Sequence, residues 1–560
     1  MKQSLQSYLY HIFLDSWHPF AWFVLIGFSI YAQSLFFGFS YLDDNVLIVD
    51  HIHFLKNLVN FPKLFGQDIF FGQHPYPYTM YYRPVLASIF MLETSVFGAN
   101  PLVYHLTNIL IHIATTCFLF SLLLRLNFSK VKVFILSILF VAHPVLGHAV
   151  YWIPGRNDSL LTLLIIISFV YFLRFIETEK KKDYFIQIVF FVLALLVKES
   201  ALAFPIICAA YILLIKGKAT KSVIRKQALG WAIVVILWFF VRKLVIGNIA
   251  SFLPAALINT ALISIPMMLL YFGKIFLPFN LSIMPILPDS NLLYGFFCLI
   301  VFIVFLFFCS KENWKYVLFG FIWFFVFLIM SFLRPHWSIT HDFQEHRIYL
   351  PMIGFVIALA ALRPFKQWKY RNIAGVLLSC VFLILFVIVH FNISQKYKNR
   401  LNFWISAAES SPHLPFAHRN LGAMYYLEGE WGLAEKEYKK ALSLNPYEEM
   451  VHNNLGLIYM NRGKPHEAEQ EFLQELSIRP NSSLAFYNLG ILYYRQGFRK
   501  EAEVSFLESI KYNPNYNDAY RALSINAYHE GNLEKAEEYL KELQKRGEDI
   551  DFMFFEASRF

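Results

Sequence analysis

The chain is short of ionisable side chains. Asp, Glu, Lys and Arg make up 16% of its 560 residues, against roughly 25% in an ordinary soluble protein. Mean hydropathy is +0.47, and several stretches approach the ~20 apolar residues that cross a bilayer. Cysteine is also scarce. Cys117, Cys208, Cys298, Cys309 and Cys380 all lie inside apolar runs, which argues against a disulfide framework or a thiolate metal centre. No small-residue cleavage site follows the first apolar run, which begins near Phe20, so this run is expected to act as a signal anchor. The net charge of +10 sits largely in short loops between apolar runs. There it reports topology, and no nucleic-acid partner is expected.

Spanning segments are expected at roughly 20–39, 101–124, 131–149, 159–176, 184–197, 200–215, 228–246, 258–277, 291–309, 316–333, 347–362 and 373–391. Basic clusters orient them. Lys130 with Lys132, Lys180 to Lys182, Lys216 to Lys226, and Arg363 to Arg371 all belong on the cytoplasmic side. Strict alternation satisfies the first three clusters from a cytoplasmic N-terminus, and the fourth only if one run does not span. The run 258–277 holds Pro266 and Lys274 and reads as a re-entrant or surface-lying hairpin. About eleven spans remain, forming an all-α membrane domain over 1–394. Outside then lie the segments 40–100, 143–158, Lys198-Glu199, 247–290 and 334–346.

After residue 395 the chain becomes polar and periodic. Leu421, Leu455, Leu489 and Leu523 recur every 34 residues, as do Gly429, Gly463, Gly497 and Gly531 and the pairs from Ala434-Glu435 to Ala536-Glu537. Pro446, Pro480 and Pro514 close three units. This is the tetratricopeptide pattern, an α-solenoid of paired helices, with repeats expected at about 415–448, 449–482, 483–516 and 517–550. Trp404, Ala407 and Pro412 share its phase one period earlier, so 395–414 is expected to form a half-repeat that docks the solenoid.

The outer segments hold the residues with chemistry. Tyr41-Leu42-Asp43-Asp44-Asn45 follows the first apolar run, and Tyr81-Tyr82-Arg83-Pro84, Glu93 and His105 follow it. His143-Pro144, His148 and Gly155-Arg156-Asn157-Asp158 share the second outer segment; Lys198-Glu199 and Glu345-His346-Arg347-Ile348-Tyr349-Leu350-Pro351 come later. Two adjacent carboxylates beside hydrocarbon need solvent or a partner, so they either end a helix or do chemistry. Arg83 and Arg156 can grip a phosphate in a bidentate fork or simply anchor the interface. Lys198-Glu199 reads more readily as a structural ion pair. His143 and His148 have metal-compatible spacing without an evident third ligand, and Glu93 reads as orienting Arg83.

The order and spacing of these motifs resemble the transmembrane and tetratricopeptide-containing O-mannosyltransferases. These belong to the membrane glycosyltransferases with a C-type fold that use lipid-phosphate sugars. The resemblance covers nearly the whole chain, with two departures: four and a half repeats, where animal members usually have more, and Arg156-Asn157-Asp158, where a small residue is expected at the middle position. It implies transfer of mannose or a similar hexose from a polyprenyl- or dolichyl-phosphate donor to a protein Ser/Thr hydroxyl. The expected setting is a bacterial inner membrane with periplasmic repeats, or alternatively an endoplasmic reticulum membrane with lumenal repeats. Such chemistry needs a base for the acceptor proton and cations for the departing phosphate. Asp43 is the first candidate for the base and Asp44 the second. Arg83, Glu93, His143, His148, Arg156, Asp158, Lys198, Glu199, Glu345, His346 and Arg347 are candidates for the donor site. No cofactor is implied, although a divalent cation is compatible with the reaction. In the repeats, Asn420, Asn454 and Asn488 share one phase beside Tyr426 and Tyr494, and such a row can pair with an extended acceptor chain.

Two other functions fit parts of the sequence. A polymer ligase or oligosaccharide transferase can carry repeats but need not place a diacidic pair after its first helix. A non-catalytic membrane scaffold has no use for that pair together with three outer arginines. The charge clusters put residues 395–560 on the same side as the 40–100 loop. Labelling cysteines introduced at Asn248 and Lys541 are therefore expected to share accessibility from one side of the membrane; opposite accessibility would refute the topology.

Overall fold

The computed structural model describes residues 11–71, 81–217, 219–247, 254–307, 313–332, 343–362 and 373–546. The basic cluster Arg363 to Arg371, the outer segment 334–342, Lys218 and Cys309 lie outside the described residues. All regular elements described are helices. The chain divides into two compact units, 1–410 and 411–560.

Among the described residues of the first unit, six helices are long and apolar enough to cross a bilayer: His18–Phe36, Pro101–Arg125, Ile153–Thr178, Glu199–Lys216, Lys221–Ile246 and Trp314–Phe332. Counting each of two bent pairs as one span gives eight. The helices Lys181–Leu195, Leu292–Leu306 and Tyr349–Ala361, of 15, 15 and 13 residues, cover three other expected spans but fall short of ~20 residues. The run 258–277 forms no hairpin: it lies within one helix, Pro254–Phe276, with Pro266 inside it.

One bent pair replaces the expected span 131–149. Helix Lys130–Val141 stops, a 49° bend follows, and Pro144–Tyr151 continues. Pro144 has no N–H to extend the ladder and drives His143 out of helical geometry; His143 has φ −78° and ψ 118°. Two carbonyls at the break receive imidazole donors from other helices. His112 Nε2 reaches Val141 O and His390 Nε2 reaches Ala142 O, each at 3.1 Å. His143 Nε2 in turn reaches Ile275 O, at 2.9 Å. The His143 ring is thus engaged at a helix end.

Helix ends beside the basic loops meet. Lys132 Nζ donates to Ala360 O and Asn313 Nδ2 to Ala361 O. Arg125 pairs with Glu177, Arg174 with Asp183, and Tyr184 donates to Lys226 O. This end of the unit carries none of the candidate motifs.

The helices Trp314–Phe332 and Tyr349–Ala361 approach until their backbones touch. A Cβ on Gly320 would stand 2.4 Å from Gly354 O, and one on Gly354 would stand 2.3 Å from Gly320 O. Only glycine permits this contact.

The second unit holds four helical hairpins, from Pro415–Leu427 with Trp431–Leu444 to Asn517–His529 with Leu533–Lys545, matching the expected repeats. Gly429, Gly463, Gly497 and Gly531 have φ of +80°, +68°, +85° and +81°, which turns the first helix of each repeat into the second. The expected half-repeat divides differently. Its helix Arg400–Ser410 belongs to the first unit, where fully buried Trp404 donates to Ser40 O at 3.1 Å.

Gly354→Ala is expected to force the two helices apart, lowering stability by about 1–3 kcal/mol. Thermal unfolding of the detergent-solubilised chain measures this, with Ala358→Gly as a control that relieves the same face.

Candidate active site

The first outer segment and the second share one apolar floor. Leu47, Ile48, Ile69, Leu86, Phe90, Tyr104 and Ile153 form a single buried cluster, so the diacidic turn, the Tyr-Tyr-Arg-Pro segment and the Gly-Arg-Asn-Asp turn sit on common ground.

On this floor the two carboxylates separate. Asp44 is buried and accepts from Ser40 N (2.6 Å), Ser40 Oγ (2.9 Å), Leu42 N (3.2 Å) and Asn45 N (3.0 Å). Those bonds close a turn in which Tyr41 has φ of +59°, a strained region for an aromatic residue. The Arg400 guanidinium lies 5.1 Å over the Tyr41 ring. Burial pushes the Asp44 carboxyl up from its ordinary value, opposed by the hydrogen bonds that favour its charge. Asp43 remains partly exposed. Asp44 holds the turn, and Asp43 is the carboxylate presented by it.

Lys198 and Glu199 do not pair with each other. Lys198 is extended, with φ −158° and ψ 138°, so successive side chains leave on opposite faces. Lys198 Nζ donates to both oxygens of Asp158 at 2.8 Å. Glu199 receives Arg83 Nη2 at 3.1 Å. Asn157 ties Arg83 to the backbone just before Lys198. The amide orientation that satisfies both its atoms has the oxygen accepting from Arg83 Nη1 (2.7 Å) and the nitrogen donating to Val197 O (3.2 Å). The position at which the sequence departs from the resembling family therefore lies inside the charge cluster. Burial pushes the Lys198 ammonium down from its ordinary range, opposed chiefly by Asp158.

His346 reaches the same cluster, its Nε2 3.8 Å from Asp158 Oδ2. Its ring lies 5.0 Å from that of His148 and 5.4 Å from that of Trp152. Buried Arg83 Nε, His148 Nδ1 and Trp152 Nε1 have no hydrogen-bond partner among the described residues.

The remaining candidates are engaged within the protein. Arg156, fully buried, donates Nε to Asn108 Oδ1 (2.7 Å), Nη1 to Glu93 Oε2 (2.6 Å) and Nη2 to Tyr104 O (2.7 Å). Its fork is filled by protein, so it acts as a strut, and Glu93 orients Arg156 instead of Arg83. Glu345 pairs with Lys274 and accepts from Ser282 N at 2.8 Å. Arg347 is buried. The lone Lys274 in an apolar run, which made 258–277 look like a poor span, is there to meet Glu345; an isolated cation in hydrocarbon calls for such a partner. Asn108 and Trp152 gave no signal in the sequence, being a single amide and a single indole in apolar surroundings. Among the described residues, no three His, Cys, Asp or Glu side chains converge as a metal site.

The asparagine row is knitted into the repeats. Asn420 Nδ2 donates to Phe416 O (2.7 Å), Asn488 Nδ2 to Asn453 Oδ1 (2.8 Å), and Asn453 Nδ2 to Asn454 Oδ1 (3.2 Å). Tyr426 OH accepts from Asn461 (2.8 Å), and Arg499 stacks on Tyr494 at 4.0 Å. Each of these candidate acceptor contacts has a partner inside the solenoid.

Residues 73–246, which include Arg83, Asp158, Lys198 and Glu199, match the dolichyl-phosphate-mannose-protein mannosyltransferase family. Residues 415–448, 451–482 and 487–549 match tetratricopeptide repeats. The chain is thus a multi-pass membrane protein that joins a region similar to that mannosyltransferase family to a tetratricopeptide array. Its relatives bear the name protein O-mannosyl-transferase. One from Caenorhabditis elegans is 26% identical over 384 residues, 65% of this chain and 54% of that protein. Human TMTC1 is 31% identical over 25% of this chain and 17% of its own length, and human TMTC2 33% over 18% and 12%. The chain spans about half the length of the first of these relatives. Among solved structures, that of MamA has a TM-score of 0.24 and 18% identity, covering 26% of this chain and 89% of that one.

Asp158→Asn is expected to leave Lys198 buried without a charge partner and to lower stability by about 3–5 kcal/mol, whereas Asp158→Leu with Lys198→Met should recover most of that loss. A double-mutant cycle read by thermal unfolding checks this; additive effects would show that the pair is not coupled.

Proposed function

We propose that the chain transfers mannose or a similar hexose from a polyprenyl-phosphate or dolichyl-phosphate donor to a Ser/Thr hydroxyl of a protein, on the side of the membrane where the first outer segment lies. The observation that carries this reading is the cluster around Arg83, Asp158 and Lys198, in which buried Arg83 Nε, His148 Nδ1 and Trp152 Nε1 lack partners. Native structures rarely leave such groups unmatched, and a polar ligand bound here would match them. Arg83 and Lys198 supply the cations for a leaving phosphate. Glu199 and Asp158 hold those cations in place, and Asn157 fixes their spacing. His148, Trp152 and His346 form a polar-edged aromatic wall suited to a sugar.

Asp43 acts as general base. It accepts the acceptor hydroxyl proton as the hydroxyl oxygen attacks the anomeric carbon, and the phosphate leaves with the bonding pair toward Arg83 and Lys198. Asp44 presents Asp43 through the strained turn. One displacement of this kind inverts the anomeric centre. The names of the relatives and the family match over 73–246 support mannose as the sugar and protein as the acceptor. The repeats then serve the acceptor or a partner protein. Either a bacterial inner membrane or an endoplasmic reticulum membrane would present the site to secreted chains.

Asp43→Asn keeps shape and removes the base, so transfer is expected to fall by about 10²–10⁴-fold with folding intact. Intact-mass analysis of secreted proteins co-expressed with either form measures it. Near wild-type transfer by the variant would take the base role away from Asp43.

A further inference from the structure

Residues 37–42, which lead from the first apolar helix to Asp43, belong to no helix. Their backbone groups therefore need partners from elsewhere, and several come from the far end of the first unit. Gly38 N donates to Lys398 O at 3.2 Å, and Ser40 O accepts from Trp404 Nε1 at 3.1 Å. The Arg400 guanidinium covers the ring of Tyr41. Gly38, Ser40 and Tyr41 are thus each met by one residue of the stretch 398–404. Ser40 also gives Asp44 two of its hydrogen bonds, and Tyr41 is the residue with φ of +59°. A strained residue persists only where its surroundings hold it.

The stretch that meets the turn has a fixed shape of its own. The last apolar helix ends at Lys396, and the chain bends by 110° into helix Arg400–Ser410. Asn399 Oδ1 caps this helix by accepting from Asn402 N at 2.8 Å, and Asn402 Nδ2 reaches back across the bend to Gln395 O at 3.2 Å. Lys396 Nζ donates to Leu281 O at 2.8 Å, and Ser410 Oγ meets Ser282 Oγ at 2.7 Å. Buried Tyr397 lies with its ring 5.6 Å from that of His148 and 5.8 Å from that of Tyr151. Both ends of the bend are therefore fastened to the same unit as the charge cluster. Arg400 and Trp404 stand one helical turn apart on one face, and that face carries the contacts to Tyr41 and Ser40.

We infer that Arg400 and Trp404 are positioning residues for Asp43: helix Arg400–Ser410 clamps the diacidic turn and sets where the carboxylate it presents stands. This deepens the catalytic reading of Asp43 and rests on it. The second unit begins at Ser411, so the helix that holds the turn is also the one from which the chain continues into the repeats.

The test compares the full chain in nanodiscs with Trp404→Phe, which keeps a ring but removes the N–H, and with Arg400→Gln and Arg400→Lys. Hydrogen exchange followed by mass spectrometry reads the turn directly. The amides of Ser40, Leu42 and Asn45 are all held by Asp44. They should exchange about five- to tenfold faster in Trp404→Phe and Arg400→Gln, the equivalent of one net hydrogen bond, with those of Pro101–Arg125 unchanged. Transfer, read by intact mass of co-expressed secreted proteins, should fall about 10- to 100-fold in both, the cost of a group displaced by about an ångström. Arg400→Lys should retain it, because an ammonium can take the same place over the ring; a role in folding alone would not separate Lys from Gln. Unchanged exchange in the turn, or wild-type transfer in both variants, overturns the inference. Wild-type transfer by Asp43→Asn overturns the catalytic reading instead, and exchange alone then decides whether the helix holds the turn. If Trp404→Phe does not fold, Arg400→Gln decides, its side chain being only partly buried.

Discussion

Inside a bilayer a peptide group can bond only to protein, and this constraint shapes the first unit around one break. Helix Lys130–Val141 ends in the apolar region at His143-Pro144. The carbonyls of Val141 and Ala142 there are met by imidazoles from two other helices, His112 and His390. With these caps the chain can leave helical geometry, bend, and deliver His148, Trp152, Asn157 and Asp158 to one place. Tyr349 and Tyr151 close the same arrangement from the other side of each ring, meeting Nδ1 of His112 and of His390. His112 thereby joins helix Tyr349–Ala361 to the break, and His390 ties the two halves of the bent pair together.

Charge is handled by the same rule. Cations and anions come as crossed pairs from segments far apart in sequence: Arg83 with Glu199, half-buried, and, buried, Lys198 with Asp158, Arg156 with Glu93, Lys274 with Glu345. Breaking any one of the three buried pairs would leave a charge without solvent or partner, which costs far more than the pair contributes when intact. The pairs therefore fix which loops must meet. They also divide the arginines: Arg156 is enclosed on all sides, while Arg83 keeps one nitrogen without a partner.

The broad plan was legible because hydropathy, basic loops and a 34-residue period are one-dimensional signals. They placed the helices, the repeats and the gathering of motifs away from the basic end. What stayed hidden was pairing. Lys198 and Glu199 are neighbours in sequence, and only the extended backbone at Lys198 shows that they turn apart. Asp43 and Asp44 look equivalent until Asp44 is seen to close a turn. The shared phase of Asn420, Asn454 and Asn488 was real, but phase does not tell what each amide bonds: Asn420 bonds within its own helix and Asn488 reaches the preceding repeat. Helix length misled where Pro144 interrupts an apolar run, since hydropathy averages over the break. Lys274 misled in the other direction, because its partner Glu345 lies 71 residues away.

The contact between Gly320 and Gly354 bears on how the site meets its substrates. Glu345 and His346 immediately precede helix Tyr349–Ala361, which meets its neighbour backbone to backbone with no side chain between them to change rotamer. That wall is stiff, and a ligand cannot be accommodated by moving it. The diacidic turn is built differently: a strained tyrosine held by hydrogen bonds to a single carboxylate. In the proposed transfer, a donor and an acceptor of unequal size would then be fitted from the Asp43 side, so acceptor preference would be written in the first outer segment and not in the helices behind it.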